Sequence, residues 1–176
     1  MKVIFFIQKA PIIGLQLVVV KVKKGSVNMP FNDTYANNIL NYAFAKTSQL
    51  TAPTLVYIGL CSNDPEADSG TFTELSGNGY HRVLISQRGE TYPNVINSAT
   101  NRVVQNTKQI NWTKATGDWM DAKGFGLFSS ETGGEPFFYG KLEEPVSVKA
   151  GSVALFDPYA FKITFPEEDV VEEATT

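Results

Sequence analysis

Residues 124–142 have the sequence Gly-Phe-Gly-Leu-Phe-Ser-Ser-Glu-Thr-Gly-Gly-Glu-Pro-Phe-Phe-Tyr-Gly-Lys-Leu, and this stretch decides the fold class. Two β-prone runs flank a polar turn that contains two glycines, which is the pattern of a β-hairpin. Similar short runs recur along the chain, and no segment between them has the long helical periodicity that crossover connections need. The sequence therefore predicts a mainly β protein, either an antiparallel β-sandwich or a jelly-roll-like barrel, with one N-terminal helix.

Other strands are predicted at even intervals on either side of this hairpin. Residues 55–60, Leu-Val-Tyr-Ile-Gly-Leu, are apolar at both alternating sets of positions, so we expect this strand to be buried on both faces. The glycine-rich string at 74–79 predicts a tight turn leading into the next strand. The remaining predicted strands are 80–87, 102–105, 108–112, 119–128, a second hairpin formed by 146–148 and 152–156, and 161–165.

The predicted helix covers residues 35–46. Asn32, Asp33 or Thr34 can cap its start, because their side-chain oxygens accept hydrogen bonds from the first amides of a helix. Apolar residues recur every three or four positions and so line one helical face: Tyr35, Ile39, Tyr42 and Ala43. We expect this face to dock on the strand at 55–60.

The first 28 residues differ from the rest of the chain in charge. They contain five lysines and no acid, a charge of +5 against −3 for the whole chain, so the remainder carries −8. Met29 offers an internal start, and the Lys-Gly-Ser before it can be encoded by a purine-rich string resembling a ribosome-binding site. We expect residues 1–28 to be either a misassigned start or an extra β-strand over 12–22, a stretch rich in branched residues.

A signal peptide is the competing interpretation of this extension. The apolar run that follows Lys2 is interrupted early by Gln8, Lys9 and Pro11, and no clean cleavage site follows it. The sequence therefore disfavours a secretory leader.

Residues 29–166 are predicted to form a single β-sandwich domain. The whole chain has 176 residues, 43% of them apolar, which is enough for one compact core. Residues 167–176, Glu-Glu-Asp-Val-Val-Glu-Glu-Ala-Thr-Thr, form a like-charge block that cannot bury itself, so we expect an acidic disordered tail.

Composition excludes several classes of protein. Cys61 is the sole cysteine and His81 the sole histidine, so an internal disulfide, a Cys-x-x-Cys motif and a histidine-rich zinc site are ruled out. The net negative charge argues against nucleic acid as a partner. No stretch is long and apolar enough to span a bilayer, so we expect no membrane insertion.

A calcium loop was considered between residues 64 and 75. Asp64, Glu66 and Asp68 alternate as calcium ligands do, but the glycine comes one position late, at Gly70. Leu75 occupies the position of the bidentate glutamate. We therefore predict an acidic solvated loop and no metal site.

Two groups of residues are candidates for ligand recognition. Tyr80 and Arg82 beside Glu74 could form a binding patch, but we favour an ion pair that fastens the long loop to the strand edge. Trp112 and Trp119 could stack on sugars, but burial in the core is favoured for such large aromatic residues.

Candidates for chemistry are weaker. Gly124-x-Gly126 resembles part of a phosphate-binding loop, but it lies inside a predicted strand with no helix after it, which indicates a packing role. His81 has no sequence cue placing a nucleophile beside it. Carboxylates that a glycosidase could use are present, but we expect them to be solvated: Asp118, Asp121, Glu131, Glu135, Glu143 and Glu144. We predict no enzyme activity, no catalytic residue and no cofactor.

A set of landmarks resembles a family of small bacteriophage tail fibre proteins. The most specific is the string Glu74-Leu-Ser-Gly-Asn-Gly-Tyr-His-Arg82, which is hard to obtain by chance. The others are Asn41-Tyr42-Ala43, Tyr57 to Leu60, Trp112, Ala115-Thr116, Trp119, Gly124 to Phe128, Gly133-Gly134, Tyr139 to Leu142, Pro145 and Gly151. The resemblance covers about residues 34–165 and leaves the first 28 without a counterpart.

This resemblance implies a structural component of the virion, assembled in the bacterial host cytoplasm. Its expected partners are other virion proteins, further copies of the same chain in a homo-oligomer, and a host surface glycan or protein. The expected role is a tail-fibre-type component that takes part in particle surface assembly and host attachment. The alternatives are a capsid decoration protein and a carbohydrate-binding module.

Overall fold

A computed structural model describes residues 17–19, 32–44, 46, 52–67, 71–88, 95–97, 99–100 and 103–164. The predicted acidic tail 167–176 and most of the extension 1–28 lie outside the described residues. The described chain forms, in order, β1 (Leu17–Val19), α1 (Asp33–Ala43), β2 (Leu55–Cys61), β3 (Val83–Gln87), β4 (Val103–Gln105), β5 (Ile110–Asn111), β6 (Ala122–Phe128), β7 (Phe138–Val146), β8 (Val153–Phe156) and β9 (Lys162–Thr164).

The strands form three sheets. The largest is antiparallel with the order β3-β2-β6-β7, the second has the order β1-β8-β5, and β4 pairs with β9. In the second sheet, β1 runs parallel to β8, whereas β5 runs antiparallel to it. The predicted fold class is confirmed: the described residues are mainly β with one helix, and their sheets do not close into a barrel, which favours the sandwich.

The hairpin that defined the fold class is present as β6 and β7. Phe125 pairs with Gly140 and Leu127 with Phe138 across its two strands. The second predicted hairpin, 146–148 with 152–156, is wrong, because Val146 ends β7 while β8 pairs with β1 and β5. The chain crosses between sheets here: the Trp119 amide donates to the Val148 carbonyl and the Ala115 amide to Ser152.

The core lies between the four-stranded sheet and the β5–β8 pair. Side chains that are almost fully buried come from both layers, among them Ile58, Leu60, Ile85, Phe125 and Leu142 from one side and Ile110, Trp112 and Phe156 from the other. Alternate residues of each strand point inward, as two packed sheets require. The two layers therefore share one hydrophobic core.

The outer face of β2 and β6 is also covered. On β2 both faces are buried from Ile58 to Cys61, as predicted, whereas Leu55, Val56 and Tyr57 are only half-buried. The cover is the polar connection after β2, whose Phe72 ring meets Phe128 edge-on with centroids 5.3 Å apart. A Cβ at Gly124 would lie 2.6 Å from Pro65, and one at Gly126 would lie 2.8 Å from Phe72. The Gly124-x-Gly126 pair therefore has the predicted packing role, since it lets this loop lie flat on the sheet.

Helix α1 begins two residues before the predicted start and ends at Ala43. The Asn32 side chain accepts a hydrogen bond from the Tyr35 amide at 2.9 Å and so caps the helix. The Asn32 amide donates to the Phe137 carbonyl, and the Tyr35 and Phe137 rings lie 5.1 Å apart. The helix therefore attaches next to β7, the edge strand. Docking on β2 was predicted wrongly, because the loop already covers the outer face of that strand.

Candidate functional site

Arg82 lies at the centre of the most polar buried cluster in the described chain. It is only 5% exposed, although it precedes the first residue of β3. Its Nε and Nη2 donate to the two carboxylate oxygens of Glu74 at 2.8 and 2.6 Å. Its Nη1 donates to the carbonyls of Ser130 and Gly133 in the β6–β7 turn. The guanidinium also lies 3.3 Å from the ring centroid of Phe128.

This geometry joins three segments at one point. Glu74 ends the loop that covers β2, Arg82 leads into β3, and the two carbonyls belong to the β6–β7 turn. A bidentate pair with further hydrogen bonds is the arrangement that offsets the cost of burying an arginine. The predicted ion pair is present, and Arg82 is too buried to serve as an open recognition surface.

Tyr80 completes the cluster from the other side. Its hydroxyl accepts a hydrogen bond from the Leu60 amide at 2.7 Å and lies 3.1 Å from Glu74 Oε1, to which it donates. Burial, and then the negative charge of Glu74, raise the pKa of Tyr80 above its ordinary value. The neutral phenol is therefore the form that the fold requires.

The turn before Tyr80 explains the glycines of the motif at 74–79. Gly77, Asn78 and Gly79 all have positive φ, at 72°, 50° and 81°. Glycine takes this conformation without a steric penalty, and asparagine tolerates it better than most residues. The Asn78 carbonyl accepts from Trp119 Nε1 at 3.0 Å, so the turn is fixed to the loop before β6. The motif is a structural corner.

Both tryptophans are buried, as predicted. Trp119 meets the Tyr80 ring edge-on at 5.4 Å, and Trp112 packs on Phe156 at 5.8 Å. The indole nitrogen of Trp112 has no hydrogen-bond partner among the described residues. Neither ring forms the exposed platform that sugar stacking needs.

The acidic loop after β2 forms its contacts with other residues of the same chain. The Asp64 carboxylate accepts from the amides of Glu66 and Ala67 and pairs with Lys141 on β7. Partial burial acts to raise the pKa of Asp64, but hydrogen bonds from Lys141 and the two amides hold it below the ordinary value. Of the predicted trio, Asp68 lies outside the described residues. In the part of the chain that the structure describes, no cluster of acidic, histidine or cysteine side chains could hold a metal ion.

The residues considered for catalysis lie in ordinary surroundings. His81 is exposed, with its Nδ1 3.2 Å from the Gly79 carbonyl, whereas Cys61 is buried and donates to the Asn63 carbonyl. The Ala150 amide, and then Lys149, hold the pKa of Asp118 below its usual range, the opposite of what a general acid needs.

The other carboxylates of the glycosidase hypothesis are all exposed: Asp121, Glu131, Glu135, Glu143 and Glu144. Asp121 accepts a hydrogen bond from Ser147. Within the described ranges, no helix is both long and apolar enough to cross a membrane.

Sequence reasoning missed the apolar residues that the fold leaves on its surface. Leu40 on α1 and Phe44, the C-cap residue of that helix, are 54% and 73% exposed. Tyr159, in the turn between β8 and β9, is 55% exposed and has a φ of 66°, which is unusual for a tyrosine. No pattern in the sequence signals the positive φ of Tyr159. Leu40 and Phe44 were missed because the periodicity predicted a different contact face of the helix, formed by Tyr35, Ile39, Tyr42 and Ala43.

In the described residues the fold is a β-sandwich whose buried polar cluster holds its own loops together, as a structural protein requires. The family described as podophage GP4 fiber I protein gp80 matches residues 30–164. This match covers most of the chain, so the protein belongs to that family and is a phage tail-fibre-type structural component of the virion. No curated protein matches the chain. The resemblance noted from the landmark residues is thereby confirmed.

Proposed function

We propose that the protein is a non-enzymatic building block of the fibre, that it associates with further copies of itself and with other virion proteins, and that its exposed loops take part in host attachment. The family match supports the fibre role. The match over residues 30–164 also supports a folded unit at 29–166, and the proposal keeps 1–28 as an extension and 167–176 as an acidic tail. The observation that carries the self-association is the exposed face of α1.

This face is apolar and free of charge at its centre. Leu40 lies in the last turn of the helix and Phe44 is its C-cap, whose amide donates to the Leu40 carbonyl, so the two exposed apolar residues are close together. From Asn32 to Phe44 the only charged residue is Asp33, in the first turn. Surface helices usually carry several charged residues, whereas the centres of protein interfaces are depleted of charge and enriched in aromatic residues.

A second copy of the chain suits this face. A two-fold interface brings the same patch of both subunits together, so a patch of one charge would repel itself while an uncharged apolar patch would not. Burying Leu40 and Phe44 also removes apolar surface from water, which favours association. The helix face alone is small compared with a stable interface, so other surfaces must add to it in the assembled fibre.

The oligomeric state of the purified full chain tests this part of the proposal. We expect the wild-type mass, measured by light scattering during size-exclusion chromatography, to rise with concentration. The Leu40→Gln/Phe44→Gln double variant should remain monomeric at the same concentrations, with an unchanged melting temperature. Tyr42→Gln, on another side of the helix, is the matched control and should associate as the wild type does. A double variant that associates normally would refute the role of this face.

Immunogold labelling of whole particles tests the position in the virion. The proposal requires label on the tail. Label spread over the capsid would favour a decoration protein, and particles without label would contradict a virion role altogether.

A further inference from the structure

The turn between β8 and β9 is held in a conformation that its sequence does not favour. The Ala160 amide donates to the Asp157 carbonyl at 3.0 Å, which closes a β-turn with Pro158 and Tyr159 at its centre. Proline at the first central position and a positive φ at the second define a type II turn, in which glycine is the preferred second residue. A tyrosine at this position is strained, so the geometry of the turn does not explain why the residue is a tyrosine.

The strained turn is rigid because Asn106 clamps it. Asn106 is fully buried, and its Nδ2 donates to the carbonyls of Lys108 and Asp157 at 2.8 and 2.7 Å. Its Oδ1 accepts from the Phe161 amide, and its main-chain carbonyl accepts from the Tyr159 amide. The backbone on both sides of the tyrosine is therefore fixed before any ligand arrives, which lowers the entropic cost of binding.

The tyrosine side chain has no polar or ring contact among the described residues that would account for it. It is more than half exposed, and among the described residues its phenol has no hydrogen-bond or ring partner. The same turn carries an exposed polar pair, because Asp157 begins the turn and its carboxylate is bonded to the exposed side chain of Gln109. The Gln109 amide donates to the Asp157 carboxylate at 3.2 Å, which leaves further acceptor positions on both groups open to solvent.

We propose that this turn, defined by Asp157 to Ala160 with Gln109 beside it, is a contact site for one pyranose ring of a host surface polysaccharide. The apolar face of a sugar ring packs on an exposed aromatic ring, while its hydroxyls donate to a carboxylate and exchange hydrogen bonds with an amide. A rigid tyrosine supplies this contact area with little loss of side-chain entropy. The site rests on the proposed role in host attachment, and it specifies the class of ligand and the place on the protein where the ligand binds.

A nuclear magnetic resonance titration of the full-length protein tests the site. The probes are the methyl glycosides of glucose, galactose, rhamnose and N-acetylglucosamine, added separately. At least one of them should shift the backbone amides of Tyr159 and Ala160 and the side-chain amide of Gln109. Tyr159→Gly should weaken that binding by about tenfold or more, while the melting temperature stays the same or rises, because glycine fits the positive φ.

Two further variants separate the aromatic contact from general effects. Tyr159→Phe keeps the ring and should retain binding. Tyr42→Ala removes a tyrosine that is similarly exposed, at 52%, but lies on α1, and it should bind as the wild type does. The site is refuted if none of the four glycosides shifts these amides, or if Tyr159→Gly binds the sugars as well as the wild type.

The Tyr159→Gly variant in whole particles distinguishes failure of the saccharide site from failure of the fibre role. Particles that carry Tyr159→Gly should keep the tail label and lose adsorption to host cells. Tail label with normal adsorption overturns the saccharide site and leaves the fibre role standing. Loss of the tail label in this variant, without any sugar-induced shift, would mean that Tyr159 contacts another virion protein, which also overturns the saccharide site.

Discussion

Breaking the Glu74–Arg82 pair should be among the most destabilising polar substitutions in the chain. Glu74→Gln leaves the Arg82 guanidinium charged, 3% exposed and without its counter-ion. Removing one member of a buried pair costs about 3–5 kcal/mol, and because the Glu74 side chain is 28% exposed we expect a smaller loss, about 2–4 kcal/mol. Arg82→Met also strips two turn carbonyls of a donor, so about 3–5 kcal/mol is expected.

Urea unfolding followed by the fluorescence of Trp112 and Trp119 measures these losses, since both indoles are buried. The double variant should lose less than the two single variants together, because the second substitution removes a group that the first has already left unpaired. Lys149→Met is the control: it breaks an ion pair whose two side chains are more than half exposed, and should leave the midpoint unchanged. A cost below about 1 kcal/mol for Glu74→Gln, or simple additivity, would refute the pair as the link between the three segments.

Three further substitutions follow from the same structure. Gly126→Ala places a methyl group 2.8 Å from the Phe72 ring, closer than such contacts occur, so thermal unfolding should show a loss of about 1–3 kcal/mol. Tyr80 has a raised pKa, so above about pH 10 the unfolded chain loses a proton that the folded chain keeps, and the free energy of unfolding should fall as pH rises. In Tyr80→Phe that alkaline decline should be shallower in urea titrations at stepped pH, and an identical slope would contradict the assignment. Asn106→Asp turns a donor that faces two carbonyls into an acceptor and should cost about 3 kcal/mol or more, measured by circular dichroism melting.

Sequence reasoning succeeded where the signal was local. The hairpin of β6 and β7 follows from two β-prone runs around one glycine turn, and its partners lie close in the chain. The burial of β2 on both faces follows from the lack of a polar set of positions. The Glu74–Arg82 pair could be predicted because the two opposite charges flank one glycine turn, and ion pairs commonly hold such local segments together.

It failed where the answer depended on distant segments. The second hairpin was predicted from the turn at Ala150-Gly151, but β8 pairs with β5 and β1, which lie far from it in the chain, and local sequence does not encode this pairing. The docking face of α1 was chosen by periodicity, yet only Tyr35 and Ile39 of that face are half-buried, because the loop occupies the sheet. A β-turn with proline at its first central position can be type I or type II, so the strained φ of Tyr159 had no sequence signal.

Cys61 is fully buried beneath the loop that covers β2. Its sulfur faces β6, since a Cβ added at Gly124 would lie 2.8 Å from it. A water-soluble thiol reagent can reach this sulfur only after the loop has lifted from the sheet. As this is the one thiol in the chain, its rate of modification reports how often that cover opens, without any added label. The modification rate of Cys61 therefore measures the opening of this one loop.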